Sequence, residues 1–131
     1  MLETSTVATE IEAVATTIAD ARAAAEAADR RFLVYIGASW CEPCAYFHDA
    51  AAARELDEAL GGLDLLEFDF DVHGKQLDAL GYAGRLIPRF SFADPDGNAA
   101  GPKIEGGIKG PAAVDQLRPR LEKLLRDNPP S

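Results

Sequence analysis

Cys41 and Cys44 are the two cysteines of this 131-residue chain, and two residues stand between them. On the first turn of a helix that spacing holds two sulfurs within reach of one another, so that the second can displace a partner bound to the first. The attacking sulfur of such a pair must be exposed and its thiolate stabilised, which the unpaired N–H groups and dipole of a helix N-terminus provide. Thiol-disulfide exchange is the chemistry this constellation can carry. Two rivals stand beside it. An idle structural pair is one, and a metal cluster of Cys41, Cys44 and His48 is the other, although no fourth protein ligand is evident. Ala45 stands where the usual haem attachment signature needs histidine. His48 and His73 read more simply as solvated side chains.

The elements that must position the pair follow from the pattern around it. Phe32-Leu33-Val34-Tyr35-Ile36-Gly37 is a continuous apolar run of the kind that fits a strand buried on both faces, and it delivers the chain to Ser39-Trp40-Cys41-Glu42-Pro43-Cys44. Pro43 suits the first turn of a helix, Cys44, Phe47 and Ala51 recur on one face, and Leu56 and Leu60 extend it until Gly61-Gly62. Thr9 and Glu12 have the form of a capping box, which predicts a first helix over 9–28. Alternation over 63–72 predicts a second strand, parallel to the first by a right-handed crossover. A short helix over 76–80, a strand at Phe90-Ser91-Phe92-Ala93, the turn Asp94-Pro95-Asp96-Gly97-Asn98 and a returning strand over 103–108 complete the sheet. The last helix opens near Pro111 and ends before Asn128-Pro129-Pro130, with Pro119 inside it, which should bend the helix or sit where the lost hydrogen bond faces solvent. The order is that of an α/β protein with one mixed central sheet and helices on both faces, a single domain over 1–131 with 1–8 and 128–131 as flexible ends.

Composition narrows the partners. Twenty-two acidic against thirteen basic residues give a formal charge of -9, which opposes phosphate contacts with nucleic acid and binding to anionic membrane surfaces. No run approaches the length of a membrane span, and two lone cysteines do not make an extracellular disulfide framework. The expectation is a soluble cytoplasmic protein without membrane insertion, or an exported one if a leader has been removed.

With the element order and three separated motifs in hand, the chain resembles the thioredoxin superfamily over nearly its full length. The motifs are Trp40-Cys41-Glu42-Pro43-Cys44, Ile87-Pro88 before the hairpin, and Gly106-Gly107 before the last helix. The long first helix and the Ala38-Ser39-Trp40-Cys41 lead are most similar to thioredoxin-like carriers of reducing equivalents, such as the C-terminal domain of the thiol:disulfide interchange protein. The resemblance implies a three-layer sandwich, Cys41 as nucleophile, Cys44 as resolving thiol, and a cis proline at Pro88 facing them. Trp40, Pro43, Ile87 and Pro88 would form a flat apolar rim for substrate, and Gly106 and Gly107 would allow close approach. It also implies a protein-disulfide oxidoreductase with no bound cofactor, a disulfide-bearing client protein and an upstream thiol reductase. The alternative is a client-binding, chaperone or metal-delivery module of the same fold without redox turnover.

Departures from the family pattern locate what is particular to this chain. Many thioredoxins carry a buried aspartate where Tyr35 stands and a lysine where Glu67 stands. A phenol is a poor base near neutrality, since it ordinarily titrates near pH ~10. Glu67, buried and hydrogen-bonded to Tyr35, is therefore expected to take the Cys44 proton, unless the two are only a satisfied core pair. Glu42 opposes the helix dipole beside Cys41, which destabilises the thiolate and makes the couple more reducing. Arg89, after Pro88, replaces a smaller residue and is expected to bias substrate choice or to snorkel to solvent.

Overall fold

Strand β1 (Arg31–Gly37) is buried along its length because its alternate side chains enter two different cores. Phe32, Val34 and Ile36 point to one face of the sheet, and Leu33 and Tyr35 to the other. This computed structural model describes residues 3–108, 110 and 112–129. β1 lies inside a four-stranded sheet of order β2-β1-β3-β4, parallel to β2 (Leu63–Asp69) and antiparallel to β3 (Arg89–Ala93), which pairs in turn with the edge strand β4 (Ala99–Glu105). Helices α1 (Glu3–Ala27) and α4 (Phe70–Ala79) cover the first face, where Ile18, Leu77 and Tyr82 pack against Val34 and Ile36. Helices α2 (Glu42–Ala52), α3 (Asp57–Leu60) and α5 (Ala113–Asp127) cover the second, with Phe47, Leu56, Leu117 and Leu121 around Tyr35 and Phe90. The three-layer sandwich of the sequence reading is the observed architecture.

Several boundaries differ, each for a physical reason. The first helix begins at Glu3 and runs through Thr9, since no glycine or proline interrupts 3–9. Residues 3–8 are thus helical where a flexible end was expected, while Met1, Leu2, Pro130 and Ser131 lie outside the described residues. The long helix expected over 43–60 is two pieces. In an unbroken helix Leu56 would lie roughly half a turn from Phe47 and face away from the core. Arg54, at φ 63°, turns the chain so that Leu56 and Leu60 pack beside Phe47, and Ala50 rather than Ala51 is the buried alanine. Strand β2 stops at Asp69 because its carboxylate accepts the Asp71 N–H and starts α4, so Phe70 and Val72 are helical and not part of the strand. Strand β4 starts at Ala99, four residues early, because a register shift passes Gly101 and Pro102 between the pairs Phe92↔Ala100 and Ser91↔Lys103. The expected opening of the last helix at Pro111 lies outside the described residues. Pro119 is exposed, on the solvent side of α5.

The hairpin tip between β3 and β4 is held from two directions. Tyr82, buried, donates its hydroxyl hydrogen to the Gly97 carbonyl at 2.9 Å, and the Gly97 backbone approaches α1 so closely that a Cβ there would stand 2.2 Å from the Ala15 carbonyl oxygen. Gly97 also has φ 91°, which an L side chain rarely adopts. Gly97→Ala is therefore expected to cost about 2–4 kcal/mol of stability, with α1 displaced. Urea unfolding checks this, and a change below about 0.5 kcal/mol would show that α1 does not clamp the turn.

Candidate redox site

Past Gly37 the chain turns once, with the Cys41 N–H bonded to the Ala38 carbonyl at 3.1 Å, and enters α2 with Cys41 as its N-cap. Pro43, at the start of that helix, needs no partner for a backbone N–H it lacks. Cys41 and Cys44 are joined as a disulfide, with Cα atoms 5.2 Å apart. The Cys44 N–H donates to the Cys41 sulfur at 3.3 Å, so the first cysteine receives the hydrogen bond that a thiolate would draw on. Burial corrects the expectation of an openly exposed attacking sulfur: Cys41 is 5% exposed and Cys44 2%. Pro43 is buried beside them at the start of α2.

Behind the disulfide the structure brings Tyr35 and Cys44 together at Gly37. The Cys44 sulfur and the Tyr35 hydroxyl oxygen each lie 3.2 Å from the point where a Cβ on Gly37 would stand. The Tyr35 hydroxyl has no hydrogen-bond partner among the described residues. Burial, and secondarily the Glu67 charge, push the phenol well above its ordinary range, so Tyr35 remains protonated near neutrality. The expected Glu67–Tyr35 hydrogen bond is not formed. Glu67, opposite Tyr35 in the β1–β2 register, lies on an edge strand, half exposed, and pairs with His48 Nε2 from α2. His48, exposed on α2, is thus a hydrogen-bond partner of Glu67, and its ring lies 5.7 Å from that of Tyr35. Cys44, His48, Glu67, Asp49 and Asp69 line a cavity of about 380 Å³ opening beside α2. Among the described residues no group of three or more His, Cys, Asp or Glu is placed to hold a metal.

The rim on the front of the disulfide differs from the expected one. Trp40 is 64% exposed, its indole N–H donating to Asp71 of α4 at 2.7 Å, which fixes the ring beside the dithiol. Pro88 is fully buried and Ile87 packs into the α1-side core, so neither presents a flat face to solvent. Their loop contributes backbone: the Ile87–Pro88 bond is cis, and the Pro88 carbonyl accepts the Gly106 N–H at 2.7 Å. Leu86, 59% exposed, precedes this bond and Ile108, 44% exposed, follows Gly106-Gly107. Gly106 and Gly107 do mark close approaches, since a Cβ would stand 2.9 Å from Leu86 Cδ1 at Gly106 and 3.1 Å from Pro43 Cβ at Gly107. Leu86 and Ile108 were legible only as neighbours of the motif residues, because no periodic pattern surrounds them.

Charged groups tie this loop down. Glu42 accepts the Gly110 N–H at 2.7 Å, linking the start of α2 to the approach to α5. Arg120 of α5 donates to the carbonyls of Gly106 and Glu105 at 2.8 and 2.9 Å. Arg89 neither snorkels nor faces a client: it is 3% exposed, with its guanidinium 5.6 Å from the Phe70 ring centre. Burial lowers its pKa from the ordinary range, while Glu105 and Asp78 hold its charge in place. For Glu105, burial pushes the carboxyl up, but hydrogen bonds from the Arg85 and Leu86 N–H groups and the charges of Lys103 and Arg89 outweigh it and bring the pKa below the usual range. No sequence pattern distinguishes such a buried arginine from a solvated one.

A family model described as thioredoxin-like matches residues 12–95, from the first helix to the turn after β3. No curated protein matches the chain.

Removing the unpartnered Tyr35 hydroxyl should not weaken the fold. Tyr35→Phe is expected to leave stability at pH 7 unchanged or raise it by up to about 1 kcal/mol, since no hydrogen bond is lost. The folded protein holds the Tyr35 proton more tightly than the unfolded chain does. Stability is therefore full below the ordinary phenol range and is lost as pH rises beyond about 10, a loss that the variant should reduce. Urea titrations between pH 7 and 11 test both points; a loss of more than about 1 kcal/mol at pH 7 would mean that the hydroxyl has a partner.

Proposed function

The chain belongs to the thioredoxin-like family, and from that premise we propose that it is a thiol-disulfide oxidoreductase acting on protein disulfides. The observation that carries the proposal is the seat of the pair: a disulfide at the N-cap of α2, with the Cys44 N–H aimed at the Cys41 sulfur. In the reduced protein the Cys41 thiolate attacks one sulfur of a client disulfide, and the electron pair of the broken bond leaves with the other client sulfur. Cys44 then attacks Cys41, the mixed disulfide breaks, and the client leaves as a dithiol while Cys41–Cys44 is oxidised. A thiol reductase upstream returns the two electrons. Trp40, Leu86 and Ile108 offer the apolar contact for the client segment, and Pro88, Gly106 and Gly107 shape the backbone around the sulfurs.

Glu42 places the couple on the reducing side. Its carboxylate sits on the first turn of α2, where negative charge competes with the Cys41 thiolate for the helix N-terminus, and its bond to Gly110 keeps it there. A less stabilised thiolate favours the oxidised pair, which lowers the potential.

Insulin reduction with a chemical reductant as electron source tests the activity. Cys41→Ser should abolish turnover, and Cys44→Ser should accumulate a mixed disulfide with the client, visible by mass. Client binding that persists in Cys41→Ser while the parent protein shows no turnover would instead identify a binding module. Glu42→Gln should raise the reduction potential by about 10–20 mV, the scale of an exposed charge on a helix end. Equilibration against a glutathione redox series measures it, and a fall refutes the role given to Glu42.

A further inference from the structure

We infer that His48, oriented by Glu67, accepts the proton of Cys44 in the resolving step, in place of the buried carboxylate that Tyr35 displaces. The inference rests on the oxidoreductase reading above. It begins from a requirement that reading leaves open. Cys44 is 2% exposed, and it must become a thiolate before it can attack the mixed disulfide on Cys41. Some group must take the proton away from a buried sulfur.

The neighbours of that sulfur narrow the choice. Tyr35 is nearest at Gly37, but its phenol already holds a proton tightly and can accept none near neutrality. On the other side Cys44 lines the cavity of about 380 Å³, which has ample room for bridging waters. The titratable groups facing His48 there are Glu67 and Asp69 from β2, Asp49 on its own helix, and Tyr35 from β1. Only His48 among them has imidazole chemistry, the side chain suited to exchanging a proton near neutral pH. It stands one turn after Cys44 on α2, on the same helix face.

The hydrogen bond to Glu67 decides the tautomer. Glu67 engages Nε2 of His48. An ionised carboxylate keeps the proton on that nitrogen and leaves Nδ1 with the lone pair, while stabilising the imidazolium once Nδ1 is protonated. In the step itself the Cys44 S–H proton passes through cavity water to His48 Nδ1. The Cys44 sulfur bonds to the Cys41 sulfur, the bond from Cys41 to the client breaks, and the client sulfur leaves with the electron pair and takes a proton from solvent. Glu67 is then a positioning residue, reaching Cys44 only through His48.

The step can be watched alone. Reduced protein carrying a chromogenic aryl thiol as a mixed disulfide on Cys41 releases that thiol when Cys44 resolves it, and stopped-flow absorbance follows the release from pH 5 to 9. His48→Gln should slow resolution about tenfold or more at pH 7 and remove the fall in rate toward acid pH that marks a base becoming protonated. Glu67→Gln should slow it less and shift that acid limb. The attack by Cys41, measured in the Cys44→Ser background with and without His48→Gln, should not change. Circular dichroism and urea unfolding establish that the variants are folded, as the half-exposed position of His48 leads one to expect. Resolution in His48→Gln with the rate and pH profile of the parent overturns the inference, as does a slowing that falls equally on the attack step. Either outcome leaves insulin reduction by the parent intact, whereas absence of that reduction would overturn the oxidoreductase reading itself.

Discussion

The site depends on a missing side chain at the end of β1. Gly37 leaves open the volume into which the Cys44 sulfur and the Tyr35 hydroxyl both converge, each at 3.2 Å from the vacant Cβ position. A strand sealed on both faces can deliver the dithiol to the surface only if its last residue lets α2 close down onto it. Because Leu33 and Tyr35 serve one core while Val34 and Ile36 serve the other, β1 cannot slide or rotate without disturbing both. The position of the sulfurs is in that sense inherited from the packing of the whole sheet.

The remaining supports come from distant parts of the chain. Glu42 reaches Gly110, Gly107 abuts Pro43, Gly106 bonds to Pro88, and Arg120 holds the Glu105 and Gly106 carbonyls from α5. Four segments separated in sequence therefore meet around two sulfurs through backbone groups and close contacts. Arg89 and Glu105, opposite one another in the β3–β4 register, complete the arrangement below the cis-proline loop, where a buried charge is tolerated because opposite charges and an aromatic face surround it.

What was legible beforehand follows from the range of each interaction. The apolar run 32–36, the Cys-x-x-Cys spacing and the turn Asp94–Asn98 are local signals, and the elements they announce are present. The split of the 43–60 helix was hidden because the angular position of Leu56 matters only once a core exists to face. The end of β2 was missed because Phe70 and Val72 continue an alternation that the Asp69 cap interrupts. At the site the dithiol could be read directly. The fate of Glu67 could not, since choosing between Tyr35 and His48 as its partner requires knowing that β2 is an edge strand beside α2. The burial of Arg89 and Pro88 is likewise a product of tertiary packing, on which their own neighbours in sequence are silent.

The two cysteines face different surroundings, which in the proposed exchange would separate client docking from proton transfer. Cys41 caps the helix next to the exposed Trp40, the side on which the proposed exchange would seat a client disulfide. Of the pair, Cys44 is the one that borders the acidic cavity behind α2. A client covering the front would therefore seal the mixed disulfide from solvent without blocking the route by which the resolving thiol loses its proton. In a dithiol with one shared opening, the bound client would hinder the ionisation required for its own release. A phenol that stays neutral leaves the centre behind β1 uncharged, while Asp49, Glu67 and Asp69 line the open edge beside α2, where a charge carries little desolvation cost. In the proposed mechanism a base reached from that edge stands in for a buried carboxylate.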